Sequence, residues 1–169
     1  MGRSIFMGLL LILAQVMILK DLELFQVAFC LPYVMLIMLL PYNFNRVAAL
    51  IVAFLTGLFI DMFYDTPGIH SAACVFIAFL RPFWLDISLS GNTIESNIKL
   101  GLKPLGLPWF ITFAIPLTFI HHFTLFFVEA GGFSLFWITV QKVLFSTGYS
   151  FICMMIFQYI FSNSDRADR

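Results

Sequence analysis

Between Arg46 and Asp61 the chain reads VAALIVAFLTGLFI, an apolar run with no charge and no alternation. Strands of a transmembrane barrel alternate lipid-facing apolar residues with lumen-facing polar ones, so this run does not belong to a barrel wall. Of the 169 residues, 62% are hydrophobic and 11% are charged, and the mean hydropathy is +1.00. A soluble domain carries about 25% charged residues. This chain therefore lacks the polar surface to cover a water-facing globule, and its 22 Phe residues point the same way. Backbone inside a bilayer must satisfy its own hydrogen bonds, which leaves helices once the barrel is excluded. The expected class is an all-α integral membrane protein.

Spans of roughly 20 residues can be placed at about 4–19, 24–40, 46–63, 69–85, 107–127 and 133–161. They make a six-transmembrane-helix bundle in a single domain, 1–169, with no internal repeat. The connectors KDLE, PYNFN, YDTPG and EAGGF are terse, and only 86–106 is long. The opening MGRSIFMGLLLILAQVMILK has the basic and apolar parts of a signal peptide but no small-x-small cleavage site, so it is expected to stay as the first helix. That helix is short, and Arg3 and Lys20 extend it by snorkelling. Phe6 stands where the myristoylation pattern needs Ser or Thr. With the N-terminus inside, Arg3, Arg46, Arg81, Lys99, Lys103, Arg166 and Arg169 fall on the cytoplasmic side. Lys20 falls outside, and Lys142 lies near the outer part of helix six. Both termini are therefore expected to be cytoplasmic, with 86–106 a cytoplasmic loop.

Helix six is too long for one perpendicular span. Either Phe133, Phe136, Trp137 and Val140 form an interfacial segment ahead of Lys142, or one tilted helix runs throughout. In the long loop, Ile87, Ile94, Ile98 and Leu105 suggest contact with the membrane surface. Trp84 and Trp109 fit an inner aromatic belt and Trp137 an outer one. A net charge of zero with no basic block gives nucleic-acid binding no support. Cys30, Cys74 and Cys153 each sit inside an apolar run and read as small core hydrophobes.

The stretch TGLFIDMFYDTPGIHSAACVF, from Thr56 to Phe76, carries the densest signal. Ala49, Ala53, Gly57, Asp61 and Asp65 recur every fourth residue, one slowly drifting helical face. Its small residues let a neighbouring backbone approach. Thr66-Pro67-Gly68 stops the helix, and His70 opens the next. Paired carboxylates could do acid–base work, or with His70 hold a divalent metal. No Gly-x-Gly-Asp, Gly-x-Ser-x-Gly or His-Glu-x2-His motif accompanies them, so no catalytic residue, metal ligand or cofactor is assigned. The other two readings are a water-facing cap near Lys20 or Lys142 and a partner-docking face. His121 and His122 point about 100° apart, which places one toward the bundle and the other toward the outer interface. Glu129 ends that helix outside, the spacing does not compel a proton relay through His121, Glu129 and Asp61, and Pro116 is expected to kink the helix.

From Leu39 to Leu85 the chain reads LLPYNFNRVAALIVAFLTGLFIDMFYDTPGIHSAACVFIAFLRPFWL and resembles the rod shape-determining MreD family. The residues that carry the resemblance are Pro41, Gly57, Asp61, Pro67, Gly68 and the run Ser71–Ala73. The later HHFTLFFVE and the six-span plan extend it over most of Leu39–Phe161. The resemblance implies a non-enzymatic component of the bacterial inner (cytoplasmic) membrane. It would associate with MreC and, through it, with MreB, RodA and a penicillin-binding transpeptidase, in placing lateral-wall peptidoglycan. It also implies a fold similar to the S component of energy-coupling-factor transporters, and a partner-binding or packing role for Ala49, Ala53, Gly57, Asp61, Asp65, Pro67, Gly68 and His70. The runner-up is a vitamin-binding S component itself. Such subunits usually carry an Ala-x3-Ala face on helix one, where this chain has Leu10, Ala14 and Ile18. A third class is an intramembrane enzyme using Asp61, Asp65 and His70.

Overall fold

The computed structural model describes residues 8, 10–25, 27–89 and 100–163. Arg3, Lys99, Arg166, Arg169, Ile94 and Ile98 lie outside the described residues, as do both chain ends. Four helices are long and apolar enough to cross a membrane: α3 (Arg46–Tyr64), α4 (Ile69–Leu89), α5 (Leu102–Glu129) and the Phe136–Ile160 part of α6 (Phe136–Asn163). A shorter apolar helix, α1 (Leu10–Leu19), precedes them and closes in a π-helical turn over Gln15–Leu19. The chain is a mostly helical, multi-pass membrane protein. In the bundle α3 packs on α4, α4 on α5 and α5 on α6. The core centres on Phe110, Phe113, Leu117, Ile60, Ile77 and Leu85.

The second expected span, 24–40, is not one helix. Strands β1 (Glu23–Leu24) and β2 (Ala28–Phe29) pair antiparallel, and only α2 (Val34–Met38) is helical beyond them. Pro32 supplies the reason. It has no N–H to donate, its ring clashes with the carbonyl four residues back, and it pushes Leu31 out of the helical region.

Extended backbone among packed helices must find polar partners, and side chains of α6 and α1 provide them. Ser146 Oγ accepts from the Phe29 amide at 2.9 Å, and Ser150 Oγ accepts from the Leu31 amide at 2.8 Å. Ser150 Oγ also lies 3.1 Å from the Phe29 carbonyl. Gln15 Nε2 donates to the Cys30 carbonyl at 2.9 Å. Ser146 and Ser150 are one helical turn apart, so both reach the same strand-like segment.

Arg81 anchors α2 at its other end. Its Nε donates to the Met38 carbonyl at 2.9 Å, and Nη2 donates to the carbonyls of Leu40 and Pro41. A helix leaves its last carbonyls unsatisfied and partly negative, and a guanidinium fits that end. The basic residue counted toward topology is thus also a buried tie, 4% exposed.

Other boundaries moved for local reasons. The loop expected over 86–106 is shortened from both sides, since α4 continues to Leu89 and α5 starts at Leu102, which puts Ile87 and Leu105 on helices. Inside α5 the backbone departs from helical angles at Gly106 (φ 81°, ψ 167°), not at Pro116. Glycine tolerates that conformation where other residues resist it. Helix α6 runs unbroken past Lys142 from Phe136, with Phe133 ahead of it. Trp137 is exposed, as a belt residue would be, whereas Trp109 is buried and stacked on Phe113 at 4.7 Å.

Replacing Ser150 with Ala would strand the Leu31 amide inside the bundle. A loss of about 1–3 kcal/mol is expected, read as a lower unfolding midpoint in detergent. Ser150→Thr, which keeps the hydroxyl, should recover part of it. An unchanged midpoint for Ser150→Ala would contradict the role given to this side chain.

Candidate functional site

The α3–α4 turn is built around one carboxylate. Asp61 Oδ1 accepts from Thr66 Oγ1 at 2.6 Å and from the His70 amide at 2.9 Å. Its Oδ2 accepts from the Ser71 amide at 3.0 Å and from Ser71 Oγ at 2.7 Å. His70 and Ser71 are the second and third residues of α4, whose leading amides have no partner within the helix. A cap usually comes from the residue just before the helix. Here Gly68 has no side chain, and Asp61 reaches across the turn to do that work. Its charge meets the positive end of the α4 dipole, the favourable end for an anion. Two backbone amides and two hydroxyls on one carboxyl group form a donor set that suits a carboxylate.

Gly57 explains how the helices come close enough. A Cβ placed there would sit 2.4 Å from Ser71 Cα and 2.7 Å from the His70 carbonyl oxygen, both rigid backbone atoms. Ala49, Ala53, Gly57 and Asp61 are all buried on this face. Four of the five residues expected on that face are thus buried within the chain, and at Gly57 the neighbour is α4.

Asp65 does not share in it. It is exposed and adopts left-handed angles (φ 53°) just past the end of α3, with its amide returning to the Asp61 carbonyl. Asp is among the few residues that accept that conformation. The two aspartates four residues apart thus have separate backbone duties, and they form no pair. Pro67 and Gly68 (φ 85°) complete the turn, with the Gly68 amide on the Thr66 carbonyl at 2.8 Å. Neither lysine approaches Asp61 as a counter-charge. Lys20 donates to the Phe63 carbonyl and lies over the Tyr64 ring at 5.6 Å, while Lys142 lies over Phe29 and Phe126.

From His70 a buried polar chain crosses the bundle. His70 Nδ1 lies 2.8 Å from Tyr33 Oη, which lies 3.0 Å from His121 Nε2. The hydroxyl donates to one ring and accepts from the other. Cys74 Sγ is 4.0 Å from both Tyr33 Oη and His121 Nε2. His122 lies beside it, with Nδ1 2.7 Å from the Thr118 carbonyl and Nε2 3.2 Å from Ser150 Oγ. A carbonyl only accepts, so Nδ1 of His122 carries the proton. Gln15 donates to Tyr64 Oη at 2.8 Å, and the Tyr64 ring lies 5.0 Å from that of His70.

Both His121 and His122 are 0% exposed, which corrects the expectation that one would face the outer interface. Helix α5 packs between α4 and α6, so two of its faces are interior. Glu129 is exposed at the end of α5 and takes no part in the chain from Asp61 to His121. Among the described residues no group of three or more His, Cys, Asp or Glu is placed to hold a metal ion. Cys30 and Cys153 are distant in sequence but have their sulfurs 2.7 Å apart.

Sequence reasoning missed Gln15, Tyr33, Tyr64, Ser146 and Ser150. Gln15 had a usable signal, a lone amide in an apolar helix, where polar residues are costly and so have a task. Comparison with known proteins adds no further guide: no family model, no curated protein and no solved structure matches this chain.

The geometry assigns Asp61 to binding backbone, which separates it sharply from Asp65. Asp61→Asn would place an NH2 group against amide donors, and a loss of about 2–3 kcal/mol is expected. Asp65→Asn should stay within about 0.5 kcal/mol. Unfolding of the two variants in one detergent checks the contrast, and equal midpoints would contradict it.

Gly57→Ala forces α3 and α4 apart and should cost about 1–3 kcal/mol. Ala72→Gly, at an exposed position on the neighbouring helix, serves as the control for a change in helix propensity alone, about 1 kcal/mol. A Gly57→Ala loss no larger than the control's would argue against the close approach.

Proposed function

We propose that this chain is a non-enzymatic MreD-type subunit of the bacterial inner membrane. In this reading it associates with MreC and, through it, with MreB, RodA and a penicillin-binding transpeptidase, and helps place lateral-wall peptidoglycan and maintain cell shape. The observation that carries it is where the family-like residues fall. Gly57, Asp61, Pro67, Gly68 and Ser71 converge on one helix turn, and each is spent on backbone geometry. Pro41, at the other end, gives its carbonyl to Arg81. A pattern used up in holding two helices together supports an assembly subunit better than an enzyme, which would need its acid free to meet a substrate.

The same observation moves the partner surface. With Ala49, Ala53 and Gly57 buried within the chain, a partner meets the outward side of the α3–α4 pair. There Phe54, Leu58, Gly68, Ala72 and Val75 border an open apolar groove of about 450 Å³. Small residues at such a groove suit close helix packing within a bilayer.

The test is made in a rod-shaped bacterium that carries this gene. Depletion should round the cells, and tagged chain should co-purify with MreC. A photo-crosslinker at Leu58 or Ala72 should capture MreC, while one at Ala53 should yield only intramolecular products. Unchanged cell width with no MreC in the purified material would remove the proposal. A vitamin retained at near-stoichiometric level would favour the S-component alternative.

A further inference from the structure

The end of the α3–α4 pair opposite Asp61 opens into a cavity of about 380 Å³. Tyr42, Asn45, Arg46, Arg81 and Asp86 are among its lining residues. Arg81 is the unusual member. It is buried, and its three hydrogen-bond acceptors are the carbonyls of Met38, Leu40 and Pro41. These bonds use Nε and Nη2, so among the described residues the charge is compensated by dipoles. A buried charge is costly unless an opposite charge or a full set of hydrogen bonds answers it. Among the described residues Asp86 is the one carboxylate on the cavity wall, and it accepts a long bond from Tyr42 Oη at 3.4 Å. Two arginines and one aspartate thus line the cavity among the described residues.

The backbone adds to the imbalance. Arg46 opens α3, and the Asn45 side chain caps the amide of Ala48 at 3.1 Å. The amides of Arg46 and Val47 precede that bond and have no acceptor within the helix, the arrangement that binds anions at helix starts. Arg46 and Arg81 also belong to the basic set that marks this rim as cytoplasmic, where anionic headgroups lie and attract basic residues.

We propose that this cavity binds a phosphate-bearing anion, presented by an anionic lipid headgroup or by a soluble phosphate ester. Arg81 supplies a fixed charge from the wall, Arg46 a second one from its exposed position on the lining, and the start of α3 its leading amides. The size accommodates a glycerophosphate group together with several waters of about 30 Å³ each. This inference stands apart from the MreD-type reading and does not depend on it.

The experiment uses the full-length chain in a neutral detergent. It is titrated separately with phosphatidylglycerol, phosphatidylcholine and glycerol 3-phosphate, and followed by native mass spectrometry and thermal unfolding. Phosphatidylglycerol is expected to bind and stabilise in preference to phosphatidylcholine. The exposed Arg46 permits a variant that leaves the fold intact: Arg46→Gln should weaken binding about fivefold. Asp86→Asn, which removes the competing carboxylate, should strengthen it. Stabilisation by glycerol 3-phosphate without phosphatidylglycerol binding would assign the soluble source. Equal binding of the two lipids with no response to glycerol 3-phosphate, or unchanged affinity in both variants, would overturn the proposal.

Discussion

The contact on which the fold rests is a carboxylate of one helix seated on the amides that open the next. Asp61 lies near the carboxyl end of α3, where its own helix dipole opposes a negative charge, and at the amino end of α4, where the dipole welcomes it. It is therefore stable there only while α4 stays in place. Gly57 makes that position reachable, because a single added carbon would strike the backbone of Ser71. The pair fixes the height and rotation of α4, and thereby the position of His70. Tyr33 and His121 then follow, since each is held by the next in a buried chain.

Membrane helices gain little from burying apolar side chains, because lipid is as apolar as another helix. What distinguishes one arrangement from its alternatives is close packing and polar contact. Gln15, Tyr33, Asp61, His70, His121 and Ser150 come from six different segments, and each contributes to the buried polar set. Individual contacts of this kind are worth about 0.6 kcal/mol on average. Together they specify which helix faces which, and the large apolar side chains fill around them.

The long apolar helices and, apart from Asp65, the face read as Ala49 to Asp65 were legible in the sequence because each rests on local periodicity. A four-residue repeat of small residues says which face packs, and α3 obeys it as far as Asp61, whereas Asp65, read onto the same face, lies past the helix end and is exposed. The stretch 24–40 was misread because its apolar count outweighed Pro32, and count says nothing about hydrogen bonding. The partners that make the extended segment tenable, Ser146 and Ser150, lie more than a hundred residues away in sequence, and no local pattern announces such a debt. The histidines failed for another reason. The 100° between His121 and His122 was correct, but the number of interior faces on α5 depends on where the helix stands in the bundle. A peripheral helix has one such face, whereas α5 has two.

Asp61 and Arg81 solve the same problem at opposite ends of α4. A charge in a bilayer is commonly answered by an opposite charge, and the two buried ones among the described residues are answered by helix ends. Asp61 meets the amides at the start of α4, and Arg81 meets the carbonyls at the close of α2. The two are not equivalent. Asp61 has a donor on every side, so its site is closed. Arg81 is bound along one edge of its guanidinium and borders a cavity with another arginine on its lining. A closed charge can only hold the fold together, while one with an open edge can also answer something outside the chain. That asymmetry assigns the Asp61 carboxylate to structure and leaves the Arg81 guanidinium beside a cavity that opens toward the membrane rim.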